Sequence, residues 1–189
     1  DDPPEISATT AGRPSPGTEI RILDENGAPT PVGREGELQV RGSLLFPGYF
    51  RNEAANREAF TGDGWFRTGD LATADGDGNV AITGRTKDVI NRGGVKYNPL
   101  DIEILLDAHP KISQSAIVPM PDKVLGEKAC CFALPVTGAE ITLDEICAYL
   151  TDHNIAKNKL PERLELVDEM PLTPTRKIIK GKLATLFQS

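Results

Sequence analysis

Alternating apolar and polar positions predict two strands near the start of the chain, Thr18–Leu23 and Gly36–Arg41, joined by a loop rich in turn residues. In the second strand Leu38 and Val40 are expected to point inward, with Glu37, Gln39 and Arg41 outward. The stretch NEAANREAF, Asn52–Phe60, predicts a short helix capped by Asn52. GWFRTGDL follows, with the single tryptophan, Trp65, set against a tight glycine turn that ends in Asp70. The run from Asp75 to Asn79 is read as a hairpin turn leading into a strand over Val80–Gly84. A calcium loop would need Gly at its sixth position and Glu at its twelfth, where Val80 and Thr86 stand.

After GRTKD the pattern changes. VINRGGVKYN predicts a β-hairpin around Gly93 and Gly94. NPLDIEILLDAHP predicts a helix with Pro99 in its first turn and Ile102, Leu105 and Leu106 along one face. QSAIVPMPD and EKACCFALPV read as strands. TLDEICAYLTDHN reads as an amphipathic helix with Thr142 as cap and Glu145 at the capping-box position. ERLELVDEM reads as a further strand and IIKGKLATLF as a terminal helix. The order βαββαβα from residue 89 onward predicts a compact α+β unit. The expected organisation is a β-rich segment over 1–84, a junction over 85–88 and a small α+β domain over 89–189. The opening DDPPEISATTAGRPSPG is loop-like and reads as the start of a piece cut from a longer chain.

Charge is unevenly spread: residues 1–88 carry 15 acids against 9 bases, and 89–189 carry 13 against 12. An acidic chain without a long basic run argues against general nucleic-acid binding. The three cysteines, Cys130, Cys131 and Cys147, form no C-x-x-C pair, and His109 and His153 lie in no ligand pattern. Reduced thiols in a cytoplasmic protein, without disulfide or zinc, are therefore expected. No apolar run is long enough for a membrane span.

Three segments carry candidate chemistry: GWFRTGD, ITGRTKDVINRGGVKYNPLDIE and MPLTPTRKIIKGKL. Together they resemble the adenylate-forming superfamily of acyl-CoA synthetases, peptide-synthetase adenylation domains and luciferases. In that family the first carries TGD, the second follows approximately GRxKDxIxxGGxxxxPxEIE and the third PxTxxGKxxRxxL. The resemblance covers essentially the whole chain but only the last part of a family member. The phosphate-binding loop, the acid pocket and the magnesium ligand would lie upstream, so no metal ligand is expected here.

The resemblance implies a role for each matched residue. Asp70 would accept hydrogen bonds from both ribose hydroxyls of the nucleotide, since one carboxylate has two oxygens to offer; its alternative is a solvated turn. Arg85 would add a ribose contact, the alternative being a surface ion pair, and Ile82 would lie near adenine. Lys87 would be the hinge within 84–88, against an ordinary linker. Gly93, Gly94 and Val95 would line the pantetheine tunnel of coenzyme A. Lys177 would be catalytic, its ammonium bridging the carboxylate and nucleotide oxygens. The alternative is a solvated basic helix start made of Arg176, Lys177, Lys180 and Lys182.

Two positions depart from the family. Arg176 stands where glycine usually precedes the lysine, which bears on the flexibility of that loop, and Asp101 stands for the usual Glu. The implied activity is an AMP-forming carboxylic acid–CoA ligase using ATP with magnesium. A carrier-protein-loading adenylation domain, a non-catalytic module of the same fold and a light-emitting oxidase are the alternatives. The wording of KDVINRGGVKYNP leans towards the CoA ligases. The 189 residues alone are expected to be inactive without the rest of their large domain.

Overall fold

In the computed structural model, which describes residues 3–187, the chain divides into two units, Asp1–Lys87 and Asp88–Ser189. The first runs α1 (Pro4–Thr9), β1 (Thr18–Leu23), β2 (Gly36–Gly42), α2 (Glu53–Ala59), β3 (Phe66–Ala74) and β4 (Val80–Arg85). Its strands form an antiparallel sheet in the order β1-β2-β3-β4. Ile22, Leu38, Ala72 and Val80 bury one face of it, with Ile20, Val40 and Ala74 packed around them. The Asn52 side chain caps α2 by accepting the Ala55 N–H at 3.1 Å.

Three expectations are corrected in this unit. The loop-like opening contains a helical turn, α1, initiated by prolines, whose missing N–H groups cost nothing at a helix start; residues 1 and 2 lie outside the described residues. GWFRTGDL is not a turn, because Phe66 onward is the long strand β3, irregular at its centre. Gln39 does not face solvent: it is 1% exposed. Its Oε1 accepts from Arg21 Nε at 2.9 Å and its Nε2 donates to Glu37 Oε2 at 3.0 Å. The guanidinium groups of Arg21 and Arg41 each lie 4.5 Å from the centroid of the buried Trp65 ring. Trp65 thus roofs the polar face of the sheet, and alternation alone cannot register a roof.

The second unit runs β5 (Ile90–Arg92), β6 (Val95–Tyr97), α3 (Leu100–Asp107), β7 (Ile112–Asp122), β8 (Gly126–Pro135), α4 (Leu143–Asp152), β9 (Arg163–Leu166) and α5 (Lys180–Ala184). Its sheet has the order β6-β5-β8-β7, with β9 pairing parallel to β8. Both faces are covered, which is why the strand sequence ACCFAL is continuously apolar. Ala129, Cys131 and Ala133 pack against Ile102 and Leu106 of α3 and Ile146 and Leu150 of α4. Cys130 and Phe132 pack on the other side with Met170 and with Leu183 of α5. The fold class is α+β in both units. Among the described residues no helix is long and apolar enough to cross a membrane.

Here too the structure departs from expectation in detail. Thr142 caps α4 by accepting the Glu145 N–H at 3.2 Å, but the Glu145 side chain leaves the capping box to pair with Lys111 Nζ at 2.7 Å. The strand expected over 162–170 is confined to Arg163–Leu166. The terminal helix is only Lys180–Ala184, followed by a 3-10 turn at Thr185–Phe187, because Ile178 is held in a β-bridge with Leu172.

Burial raises the thiol of Cys130 to about 12 and pushes those of Cys131 and Cys147 upward as well. Only the thiolate is reactive. At pH 8 in native buffer a disulfide reagent is expected to modify Cys147 first, since it alone is partly exposed. Cys130 and Cys131 should react only as fast as the unit opens, and denaturant should release all three. Thiol counting by absorbance checks this, and rapid native labelling of Cys131 would contradict the packing.

Candidate functional site

The TGD segment gains its form from a mismatch between strands. Glu37 pairs with Leu71 and Gln39 with Arg67, so Thr68, Gly69 and Asp70 together oppose the single residue Leu38. Each residue type answers one demand of this bulge. Thr68 Oγ1 donates to the Leu38 carbonyl at 2.8 Å and accepts the Asp70 N–H at 3.0 Å. Gly69 adopts φ +72°, and a Cβ there would lie 3.3 Å from Arg85 Nη2. Asp70 pairs in register with Arg85 across β3 and β4, with Oδ1 3.1 Å from Arg85 Nε. Arg85 Nη2 donates to the Thr68 carbonyl at 3.2 Å, and Thr86 Oγ1 to the Gly69 carbonyl at 3.2 Å.

A second irregularity lies on β4. Ala72 pairs with Ile82 and Leu71 with Gly84, leaving Thr83 as the extra residue, its buried hydroxyl without a hydrogen-bond partner among the described residues. Ile82, two residues beyond the buried Val80, is 42% exposed. The structure therefore gathers Asp70, Arg85 and Ile82 at the bulged end of the β3–β4 pair. Lys87 is exposed and is the last residue of the first unit.

Lys177 and Gly93–Val95 belong to the second unit. The pairing of Arg92 with Val95 makes Gly93-Gly94 a two-residue loop, and their φ values of +61° and +88° are those of a type I′ turn. Asn91 Oδ1 accepts the Gly94 N–H at 3.1 Å, and the Gly93 N–H donates to the Leu125 carbonyl at 2.8 Å. The Leu125 loop is itself ordered by Asp122. One of its oxygens accepts the N–H groups of Val124 and Leu125 at 3.0 and 2.9 Å, and the other meets Lys128 Nζ at 2.8 Å. The bond from Lys128, with those backbone N–H groups, holds the Asp122 carboxyl down at about 2.

Lys177 sits on a tight hairpin. The Thr173 N–H donates to the Lys177 carbonyl at 2.8 Å, and the Lys177 N–H donates to Thr173 Oγ1 at 3.0 Å. The turn is closed by Arg176 N–H to the Thr173 carbonyl at 2.9 Å, with Arg176 at φ +64°. The left-handed position explains why glycine suits this place. The Lys177 side chain is exposed.

The solvated basic helix start does not describe Lys180. Its ammonium is 2.7 Å from Glu103 Oε1 and 3.3 Å from Asp88 Oδ2, with side-chain exposures of only 20, 13 and 15% for Lys180, Glu103 and Asp88. Burial raises the Glu103 carboxyl, and Lys180 acts against that rise. Sequence reasoning missed this cluster, since its members are 15 and 77 residues apart along the chain. Asp101, which replaces the usual Glu, pairs with Lys159 Nζ at 2.7 Å. Among the described residues no three His, Cys, Asp or Glu side chains are grouped to hold a metal ion.

Comparison with known proteins bears on this arrangement. Residues 101–177 match the family described as AMP-binding enzyme C-terminal domain, and residues 1–50 match AMP-binding enzyme. The chain is 44% identical over 180 residues to the salicyl-AMP ligase / salicyl-S-ArCP synthetase of Mycobacterium tuberculosis, covering 95% of this chain and 32% of that protein. It is 41% identical over 184 residues to a salicylyl-CoA synthase / salicylate adenylyltransferase of a Streptomyces species, covering 97% and 33%. The crystal structure of ATP-bound MatB from Rhodopseudomonas palustris superposes with a TM-score of 0.85 at 32% identity, covering 96% of this chain and 36% of that one. The chain belongs to the adenylate-forming superfamily of AMP-binding enzymes. It spans about one third of the length of the curated relatives it matches.

The Asp122 brace yields a pH dependence. A carboxyl depressed from about 3.9 when unfolded to about 2 when folded contributes stability that is present above pH ~4 and lost as pH falls towards about 2. Asp122→Asn removes that contribution. The stability gap between wild type and variant, measured by urea unfolding, is expected to be constant above pH ~5 and to close on acidification. A gap that stays constant down to pH ~2 would remove Asp122 from the loop's support.

Proposed function

We propose that this chain is the C-terminal part of an enzyme that activates an aromatic carboxylic acid with ATP and passes the acyl group to a pantetheine thiol. The observation that carries the reading is the Asp70–Arg85 pair, 3.1 Å apart at the bulged end of β3 and β4 beside the exposed Ile82. Arg85 Nε occupies one Asp70 oxygen, and a carboxylate retains lone pairs for two ribose hydroxyls. Similarity to two salicylate-activating enzymes favours an aromatic acid over a fatty one.

In the first half-reaction a substrate carboxylate oxygen attacks the α-phosphorus of ATP, forming acyl-adenylate as pyrophosphate leaves. Lys177 offers a compact cation to the charge shared between the two reactants. In the second, the thiol sulfur attacks the acyl carbonyl and AMP departs. Residues 85–88, with Lys87 as pivot, would let the 89–189 domain exchange Lys177 for the Gly93–Val95 turn; a short polar segment can absorb such a change. Residues 1–84 would complete the large domain, whose remainder supplies the acid pocket and the ligands of ATP-bound magnesium.

The thiol belongs to coenzyme A, as the hairpin wording implies. A carrier protein is the second reading, favoured by similarity to the salicyl-S-ArCP synthetase.

The test uses the full-length enzyme, wild type beside Lys177→Ala. ATP–pyrophosphate exchange is measured over aromatic and aliphatic acids, and thioester formation from premade acyl-adenylate is measured with coenzyme A and with a phosphopantetheinylated carrier protein. Wild type is expected to exchange best with hydroxylated aromatic acids. The variant should lose exchange by ~10²-fold or more while still consuming adenylate. The 189-residue piece alone should show no exchange. Failure of the wild type with every acid would overturn the reading, and preference for coenzyme A or the carrier decides the acceptor.

A further inference from the structure

The cluster of Lys180, Glu103 and Asp88 sits at the edge of the second sheet. Strand β7 is the last in the order β6-β5-β8-β7, so its outward N–H groups have no strand to meet among the described residues. Helix α3 supplies acceptors instead. Asp107 Oδ1 accepts the Ser115 N–H at 3.1 Å, and Glu103 Oε1 accepts the Ile117 N–H at 2.6 Å. These acids are four apart on the helix and so share a face, matching N–H groups two apart on a strand. The Glu103 carboxylate, its side chain only 13% exposed, is also one partner of an ion pair.

Lys180 comes to that charge from the other side. It is the first residue of α5, which packs through Leu183 with Cys130 and Phe132, whereas Ile102 of α3 belongs to the opposite core. Its ammonium spans Glu103 at 2.7 Å and Asp88, the first residue of the unit, at 3.3 Å. The Lys177 hairpin ends immediately before it, closed by the Ile179 N–H to the Pro171 carbonyl at 2.7 Å. The hairpin's remaining hydrogen bonds run within itself. Leu172 and Ile178 pack its base against the core around Cys130 and Phe132, so its tip at 173–177 depends on how firmly that base is held.

We propose that Lys180 is a positioning residue. By clamping Glu103 and Asp88 it fixes the Lys177 hairpin to the frame of the second unit and to the point where the chain enters it. The proposal rests on the reading of Lys177 given above. Loss of the clamp would loosen the hairpin against its Leu172 and Ile178 packing but leave the Gly93-Gly94 turn in place, because that turn is braced separately by Leu125 and Asp122.

The experiment uses the full-length enzyme with Lys180→Met, Lys180→Arg, Asp88→Asn and, as a surface control, Lys182→Met. Hydrogen exchange followed by mass spectrometry reports on the clamp whether or not an acid substrate is known. Lys180→Met is expected to raise exchange at least tenfold over residues 171–179 and to leave β8 unchanged. In activity, Lys180→Met should lower kcat for ATP–pyrophosphate exchange by ten- to a hundredfold with little change in KM for ATP. Thioester formation from premade adenylate should stay within threefold. Lys180→Arg should restore most of the loss, Asp88→Asn should give a smaller one, and Lys182→Met none.

Unchanged hydrogen exchange over 171–179 in both Lys180→Met and Asp88→Asn would overturn the clamp. Equal loss of both half-reactions together with faster exchange throughout the unit would also overturn it, by making Lys180 merely structural. A wild type without acid-dependent exchange would instead overturn the functional reading, with the clamp still decided by hydrogen exchange.

Discussion

The second unit depends on how the open edge of β7 is satisfied. A buried or half-buried N–H without an acceptor costs on the order of 1–3 kcal/mol, and a long edge strand invites pairing with another chain. Two carboxylates on one face of α3 solve both problems by covering the Ser115 and Ile117 N–H groups. The solution brings its own cost, because burial disfavours the ionised form of Glu103. Lys180 offsets it from the opposite layer. A requirement of sheet chemistry thereby becomes a link between α3, the start of the unit and the segment bearing Lys177.

The first unit obeys a parallel logic with irregularity in place of an edge. Three residues facing one would leave unpaired backbone groups, and TGD contains the types that absorb them. Threonine supplies a hydroxyl that both donates and accepts, glycine takes the left-handed conformation, and aspartate is then set against Arg85 on β4. The same bulge that interrupts the ladder carries the carboxylate into its pairing. Any residue other than glycine at 69 would meet both the positive φ and the Arg85 guanidinium at 3.3 Å.

Much of this was legible in the sequence where the signal is local. The double glycine at 93–94, the Asn52 and Thr142 caps and the run of strand residues over 127–135 each report a constraint satisfied within a few residues. What escaped was set by distant partners. Gln39 is polar by type yet covered, because Arg21, Arg41 and Trp65 stack above it. Glu145 fits a capping box by spacing, but Lys111 offers its carboxylate a full charge in place of a backbone N–H. Strand β3 was hidden because its central Thr-Gly-Asp has turn chemistry, which a bulge uses as readily as a turn. The Lys180 cluster joins three segments, and no periodicity within any one of them indicates the other two.

Arg176 shows how the Lys177 hairpin tolerates a departure in sequence. A non-glycine residue in the left-handed region costs roughly 1–2 kcal/mol, and it persists only where the surroundings over-determine it. Here they do. Thr173 engages Lys177 through its N–H and its hydroxyl, accepts the Arg176 N–H on its carbonyl, and bonds Thr175 at 3.0 Å. Proline at 174 restricts the turn further. Arginine therefore keeps the turn that glycine would make and charges its cost to the bonds around Thr173. The geometry at Lys177 is preserved by those bonds, and the hairpin as a whole is tied to the unit by the packing of Leu172 and Ile178 and, on the proposal above, by Lys180 just beyond it.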